Sequence, residues 1–313
     1  MTQPVFIIGW GRSGTTWLGN LLQQHSKIAA VSEPDRGIFE SAWFSEVDGR
    51  YGDLSDTSNF IELSAVLSRS IYMKQAGAGM ESLLQQYPAG YTDVFLNVME
   101  RFAESRGCTT WVEKTPAHTL LAERIARAVP KSRFIGIERD LRETILSRLR
   151  ILEQRKKQGV LRAGRASTAL YVVQWILTRQ HYANRIKRLS RQFPDRVLSL
   201  RFEDLKQDTE SAMRQACDFL GLEFEPAMTV SPYRKNSSRV IPLEHRQQRF
   251  QERLLGRWLD FWQTFARMVP PPFLTVAHRI GTVMAFGASR QALPHFFFEA
   301  SKQLPRKSVK PKW

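Results

Sequence analysis

The chain has 313 residues, 42% of them hydrophobic, enough for one large domain or one domain with an appendage. Its 46 lysines and arginines against 30 acidic residues leave a formal charge of +16, which favours an anionic partner: a nucleotide, an acidic glycan, a nucleic acid or a membrane surface. Cys108 and Cys217 lie outside any C-x-x-C pair, which argues against a zinc site and leaves a reduced intracellular pair as the default, and no run is long enough to span a membrane. With the fold expected to begin at Pro4 and no signal peptide ahead of it, the expectation is a soluble cytoplasmic protein.

Taken in chain order, residues 5–8 form an apolar run with the look of a buried strand, and residues 15–24 read as the helix after it. Between them Gly9, Gly11 and Gly14 permit a tight turn whose N–H groups point inward, so strand, loop and helix N-terminus make an anion cradle. Gly9 and Gly14 have the spacing of an ATP-binding loop, but Thr15 stands where that loop needs lysine, and the positive charge comes from Arg12 instead. Residues 28–31 read as a second strand ending at Ser32-Glu33-Pro34, residues 35–60 as loop, and 61–73 and 91–105 as helices with a break at 77–90. Residues 110–116 look like a strand running into a helix over 117–128, with Pro116 at its first position. A strand at 134–137, a helix from about Leu141, a basic loop at 154–164, a long helix over 168–192, a strand at 197–200 and a helix over 209–220 follow. The alternation predicts an α/β fold, a P-loop-like parallel sheet flanked by helices on both faces, with ligands at the carboxyl ends of its strands.

Three further segments carry chemistry. After the strand at 134–137 come Arg139 and, eight positions on, Ser147: a bidentate fork at a strand tip and a neutral donor two turns into a helix. Solvated arginines behind a helix-capping Asp140 would read the same way. Glu113-Lys114-Thr115-Pro116 puts a lysine at a strand end, where it either neutralises charge developing in a reaction or is a surface residue before a proline-capped helix. Arg201-Phe202-Glu203-Asp204-Leu205 and Phe219-Leu220-Gly221-Leu222 read as mainly structural.

Together these segments resemble the sulfotransferase superfamily, which binds 3′-phosphoadenosine 5′-phosphosulfate (PAPS) through a G-x-x-R-S-G-T-T loop matched by residues 9–16. The second motif differs only in Leu141, where proline is usual, and the fourth in Phe202, where tyrosine is usual. The resemblance covers about residues 4–262 and is nearest the glycan and tyrosylprotein sulfotransferase-like bacterial branch. It implies that Gly11, Arg12, Ser13, Gly14, Thr15, Thr16 and Trp17 hold the 5′-phosphosulfate, that Arg139 and Ser147 hold the 3′-phosphate, and that Ser238 and Arg239 belong to a basic loop closing over it. Arg12 and Lys114 would stabilise transfer, and Glu33, in a segment resembling G-E-E-T-R, would be the base; the sequence equally accommodates Glu33 as a helix cap or as the partner of Arg36. Glu40 is a reserve base; His118 is a weaker one that reads more readily as a capping or packing residue.

The activity implied is sulfuryl transfer from PAPS, leaving PAP, to a hydroxyl on a carbohydrate or glycosylated metabolite, with no metal and no nucleic acid. The rivals are a P-loop nucleotide kinase-like enzyme, which would need a lysine at Thr15, and a non-catalytic binder of anionic polymers retaining the fold. Residues 1–267 would form the catalytic domain. Residues 268–313, opened by Pro270-Pro271-Pro272, would form an extension with an amphipathic helix and a basic tail suited to peripheral membrane contact.

Overall fold

The computed structural model describes residues 2–33, 37–76, 90–158, 165–230 and 245–286. Strand β1 (Gln3–Ile8) enters helix α1 (Thr15–Leu22) through the glycine loop, and β2 (Ile28–Ala30) follows. A ribbon of β3 (Ser32–Glu33) and β4 (Gly37–Ile38) comes next, then a π-helical turn at Trp43–Val47 and helices α2 (Thr57–Leu67), α3 (Ile71–Ala76) and α4 (Tyr91–Glu104). Strand β5 (Thr110–Lys114) runs into a 3₁₀ helix at Pro116–Leu121 and α5 (Ala122–Ala128), and β6 (Arg133–Glu138) into α6 (Leu141–Lys157) and the long α7 (Arg165–Gln192). Strand β7 (Val197–Arg201), α8 (Phe202–Gln207), α9 (Thr209–Leu220), α10 (His245–Met268) and α11 (Pro271–Phe286) complete the described chain.

The sheet order is β2-β5-β1-β6-β7, and every pairing in it is parallel. Strand β1 is buried on both faces, which is why its sequence is a continuous apolar run. Phe6 and Ile8 face one core with Trp43, Phe95, Trp111 and Phe134, where Phe6 lies 5.5 Å from both Phe134 and Trp111. Val5 and Ile7 face the other, with Leu18, Ile135, Leu205 and Met213. A third core joins Trp10, Leu141, Ile145, Val172, Ile176 and Leu259 beneath the loop after β1. Because the strands are parallel, the ends of β1, β5, β6 and β7 that carry the four motifs share one edge, as expected of such a sheet.

Four local expectations are corrected. Glu33 does not end the second strand: β2 stops at Ala30, and Glu33 pairs with Gly37 in the separate ribbon. The helix expected over 61–73 is two helices, because Ser70 Oγ accepts from Met73 N at 3.2 Å and caps a new start. The stretch expected as loop to residue 60 contains the π-helical turn and the first residues of α2, capped by Asp56, whose carboxylate accepts from Ser58 N at 2.8 Å. The loop expected from 154 is helical to Lys157.

Helix α11 packs on α7, with the His278 ring 6.0 Å from that of His181 and 5.9 Å from that of Tyr182, and its Leu274 is buried. Phe273, Val276 and Ile280 on the same helix are exposed. Residues 231–244 and 287–313, including Ser238, Arg239 and the basic tail, lie outside the described residues. No described helix is long and apolar enough to cross a membrane.

Candidate active site

At the end of β1 the chain closes a turn that only particular residues permit. A Cβ on Gly9 would sit 2.6 Å from the Ile137 carbonyl oxygen, and one on Gly14, at φ 99°, would sit 2.3 Å from Phe202 Cδ2. Gly14 caps α1 with no side-chain hydrogen bond and no acidic residue in the first turn, so the N–H groups that open the helix are available to an anion. The loop is pinned from behind by Thr119, whose hydroxyl accepts from Gly9 N at 2.8 Å and donates to Gly9 O at 3.2 Å. Arg12 holds the left-handed conformation at φ 78°, a state that costs a non-glycine residue about 1–3 kcal/mol and that the surrounding contacts must enforce.

Those contacts come from β6 and α6. Arg12 Nε donates to Ser147 Oγ at 3.2 Å, and Arg139 Nη1 donates to the Arg12 carbonyl at 3.4 Å. Arg139 also pairs with Glu143 at 3.0 Å and lies 4.3 Å over the Phe202 ring, while Asp140 accepts from Glu143 N at 3.1 Å and caps α6. Arg148 Nη2 donates to the Gly11 carbonyl at 3.2 Å. Burial, with the neighbouring Arg139, holds the Arg12 pKa below the usual arginine range, and burial pushes Arg148 down to about 10 despite Tyr182. Among the described residues, the buried Nε atoms of Arg139 and Arg148 have no hydrogen-bond partner. The loop, Arg12, Arg139 and Ser147 thus lie together as one cationic cradle.

Lys114 stands beside it, paired in register with Ile7 on β1. Its side chain is buried and its Nζ donates to Glu40 Oε1 at 2.7 Å. The adjoining Glu113 is structural: its carboxylate accepts from Ser41 N at 3.1 Å, Ser41 Oγ at 2.7 Å, Thr115 Oγ1 at 2.5 Å and His118 Nδ1 at 2.9 Å. Burial alone would raise its pKa, but His118 and the hydroxyl donors outweigh it and hold the carboxyl below its usual range. His118 Nε2 accepts from Phe44 N at 3.2 Å, so its proton sits on Nδ1 and both ring nitrogens are engaged. It packs, as its position suggested. The same network fixes Ala42 at φ 49° and the π-helical turn after it, which together place Glu40 against Lys114.

Glu33 is carried by the β3–β4 ribbon beyond β2. Asn20 of α1 accepts from Ile38 N at 2.9 Å, and Gln75 of α3 donates to Ser32 O at 2.6 Å, so the ribbon is tied to the helix that begins at the glycine loop. Pro34, Asp35 and Arg36 lie outside the described residues. Trp17 packs edge-on against Phe202 at 5.6 Å, and Arg201 is exposed and pairs with Glu203 at 3.9 Å. Thr119, Trp10, Arg148 and Phe202 were not among the sequence candidates. Arg148 had a signal: it falls in the stripe Leu141, Ile145, Leu152, whose other members are all buried. Among the described residues no group of three or more histidines, cysteines, aspartates or glutamates gathers as a metal site would, and Cys108 and Cys217 are both free thiols.

A sequence model described as the sulfotransferase family matches residues 4–226, and the chain belongs to that family: it is an enzyme that transfers a sulfuryl group. No curated protein matches the sequence. Among solved structures, a sulfotransferase domain from the curacin biosynthetic pathway is similar at 18% identity and TM-score 0.48, covering 82% of this chain and 98% of that one. A sulfotransferase from Alicyclobacillus acidocaldarius is similar at 16% identity and TM-score 0.48, covering 88% and 100%. A mouse sulfotransferase complexed with PAP is similar at 14% identity and TM-score 0.38, covering 72% and 61%.

Proposed function

We propose that this sulfotransferase uses PAPS and sulfates a hydroxyl of a carbohydrate or glycosylated metabolite, in the manner of the glycan and tyrosylprotein branch. The observation that carries the donor assignment is the joining of Arg12, Arg139 and Ser147 around one glycine loop, at 3.2 and 3.4 Å. When bound, the donor supplies the sulfuryl group and leaves as the 3′,5′-bisphosphate. Residues 11–17 present backbone N–H groups and the Arg12 fork to the 5′ end, and Arg139 with Ser147 receives the 3′-phosphate. Lys114, released from Glu40, brings an ammonium to the strand edge where negative charge develops. Glu33 takes the proton of the acceptor hydroxyl. Cationic side chains provide the neutralisation for which other phosphoryl-type transferases use a metal ion, so we assign no resident metal. Ser238 and Arg239 are assigned to the 3′-phosphate on the resemblance alone.

The acceptor assignment rests on the resemblance of Ser32-Glu33-Pro34-Asp35-Arg36 to the G-E-E-T-R segment of the glutamate-using branch and on the absence of a histidine from residues 111–115. Labelled PAPS should sulfate members of a panel of sugars and glycosides and leave phenols unlabelled; label in phenols alone would overturn the acceptor class. We further propose that the protein is cytoplasmic and touches anionic membrane peripherally through the turn between α10 and α11. Met268 and Phe273, which flank it, are 77% and 65% exposed, and residues 261–286 contain no carboxylate.

A further inference from the structure

Helix α6 has an arginine where its own periodicity demands an apolar side chain. Leu141, Ile145 and Leu152 occupy the inward stripe at 2%, 0% and 6% exposure, and Arg148 falls between them. Its guanidinium lies 3.8 Å from the Trp10 ring centroid and 5.6 Å from that of Trp175, in the core that also holds Val172, Ile176 and Tyr182. Among the described residues it makes no ion pair. One nitrogen reaches the Gly11 carbonyl at 3.2 Å, and the buried Nε has no hydrogen-bond partner among the described residues. Arg12, another cation, is close enough to disfavour the Arg148 charge further. A methionine at 148 would fill the stripe without burying a charge, whereas burying an unpaired guanidinium is costly. The cation–aromatic contacts offset only part of that cost.

The contact it does make falls on the functional loop. Gly11 precedes Arg12, and a Cβ on Gly11 would lie 3.3 Å from Arg148 Nη2, so loop and guanidinium are fitted to each other. Holding the Gly11 carbonyl from the α6 side fixes the peptide that leads into the left-handed Arg12, whose Nε then meets Ser147, the residue immediately before Arg148. Arg12, Arg139 and Arg148 therefore surround one loop, and Arg139 pairs with Glu143 at 3.0 Å.

We propose that Arg148 is a further positioning residue of the donor site: it clamps the glycine loop through Gly11 so that Arg12 faces the phosphosulfate, and its buried charge is balanced only when that anion is bound. This rests on the donor reading above. It makes a prediction that a packing role does not. The charge should contribute nothing to the stability of the ligand-free protein and should matter only to donor binding.

The test is R148M and R148K in the full-length enzyme, measured by calorimetric titration with adenosine 3′,5′-bisphosphate, by ligand-free melting, and by KM for donor and acceptor. R148M should bind the bisphosphate at least tenfold more weakly, raise the donor KM, leave the acceptor KM unchanged and melt no lower than wild type. R148K keeps the charge but loses the planar fork over Trp10, and should still weaken the bisphosphate at least threefold, which also serves if R148M does not fold. Bisphosphate affinity within twofold of wild type in both variants would overturn the proposal while leaving the donor reading intact. A wild-type enzyme that does not bind the bisphosphate would instead overturn the donor reading on which it rests.

Discussion

At the residue scale the question is which carboxylate works beside Lys114. Glu40 is in direct contact with the ammonium at 2.7 Å. Glu33, on the β3–β4 ribbon tied to α1, is the base proposed above. E33Q should therefore lower turnover by roughly two to four orders of magnitude while bisphosphate affinity stays at the wild-type value. E40Q, which only frees Lys114, should lower it less than about tenfold, since it removes an orienting contact and no reacting group. The reverse ranking in single-turnover assays would move the base to Glu40. Arg12, Arg139 and Ser147 were legible because each sits at a fixed offset within a short motif. Thr119, Trp10 and Phe202 were not, because they reach the loop from other elements: Thr119 lies 110 positions from Gly9, and no local pattern marks a threonine or phenylalanine for that task.

At the element scale the strands with continuous apolar runs, and the motifs at their ends, could be read in order, since a strand buried on both faces leaves a strong local signature. The β3–β4 ribbon could not. Its strands are two residues each, and what holds them is Asn20 and Gln75 rather than any periodicity of their own. The split of α2 from α3 turned on one serine hydroxyl. The prolines marked a break before α11 but gave no sign of α10 ahead of it, and α11 buries Leu274 while exposing Phe273, Val276 and Ile280. If that turn meets a membrane, the full-length protein should sediment with vesicles containing anionic lipid and much less with neutral ones. The double variant M268E/F273E should lose sedimentation and keep transfer to a small soluble acceptor. Equal recovery of wild type and variant from anionic vesicles would contradict the contact.

At the scale of the whole molecule, five parallel strands place four motifs from distant parts of the sequence on one edge, and a net charge of +16 over the whole chain favours an anionic donor. The central claim is that this edge binds a 3′,5′-bisphosphate nucleotide through arginines, without the lysine and metal of an ATP-binding loop. Calorimetric titration with adenosine 3′,5′-bisphosphate and with ATP, each with and without magnesium, tests it directly. The account predicts tighter binding of the bisphosphate, indifferent to magnesium, and weakened by about 2 kcal/mol or more in R139A through loss of a charge-assisted fork. Tighter, magnesium-dependent binding of ATP would contradict it.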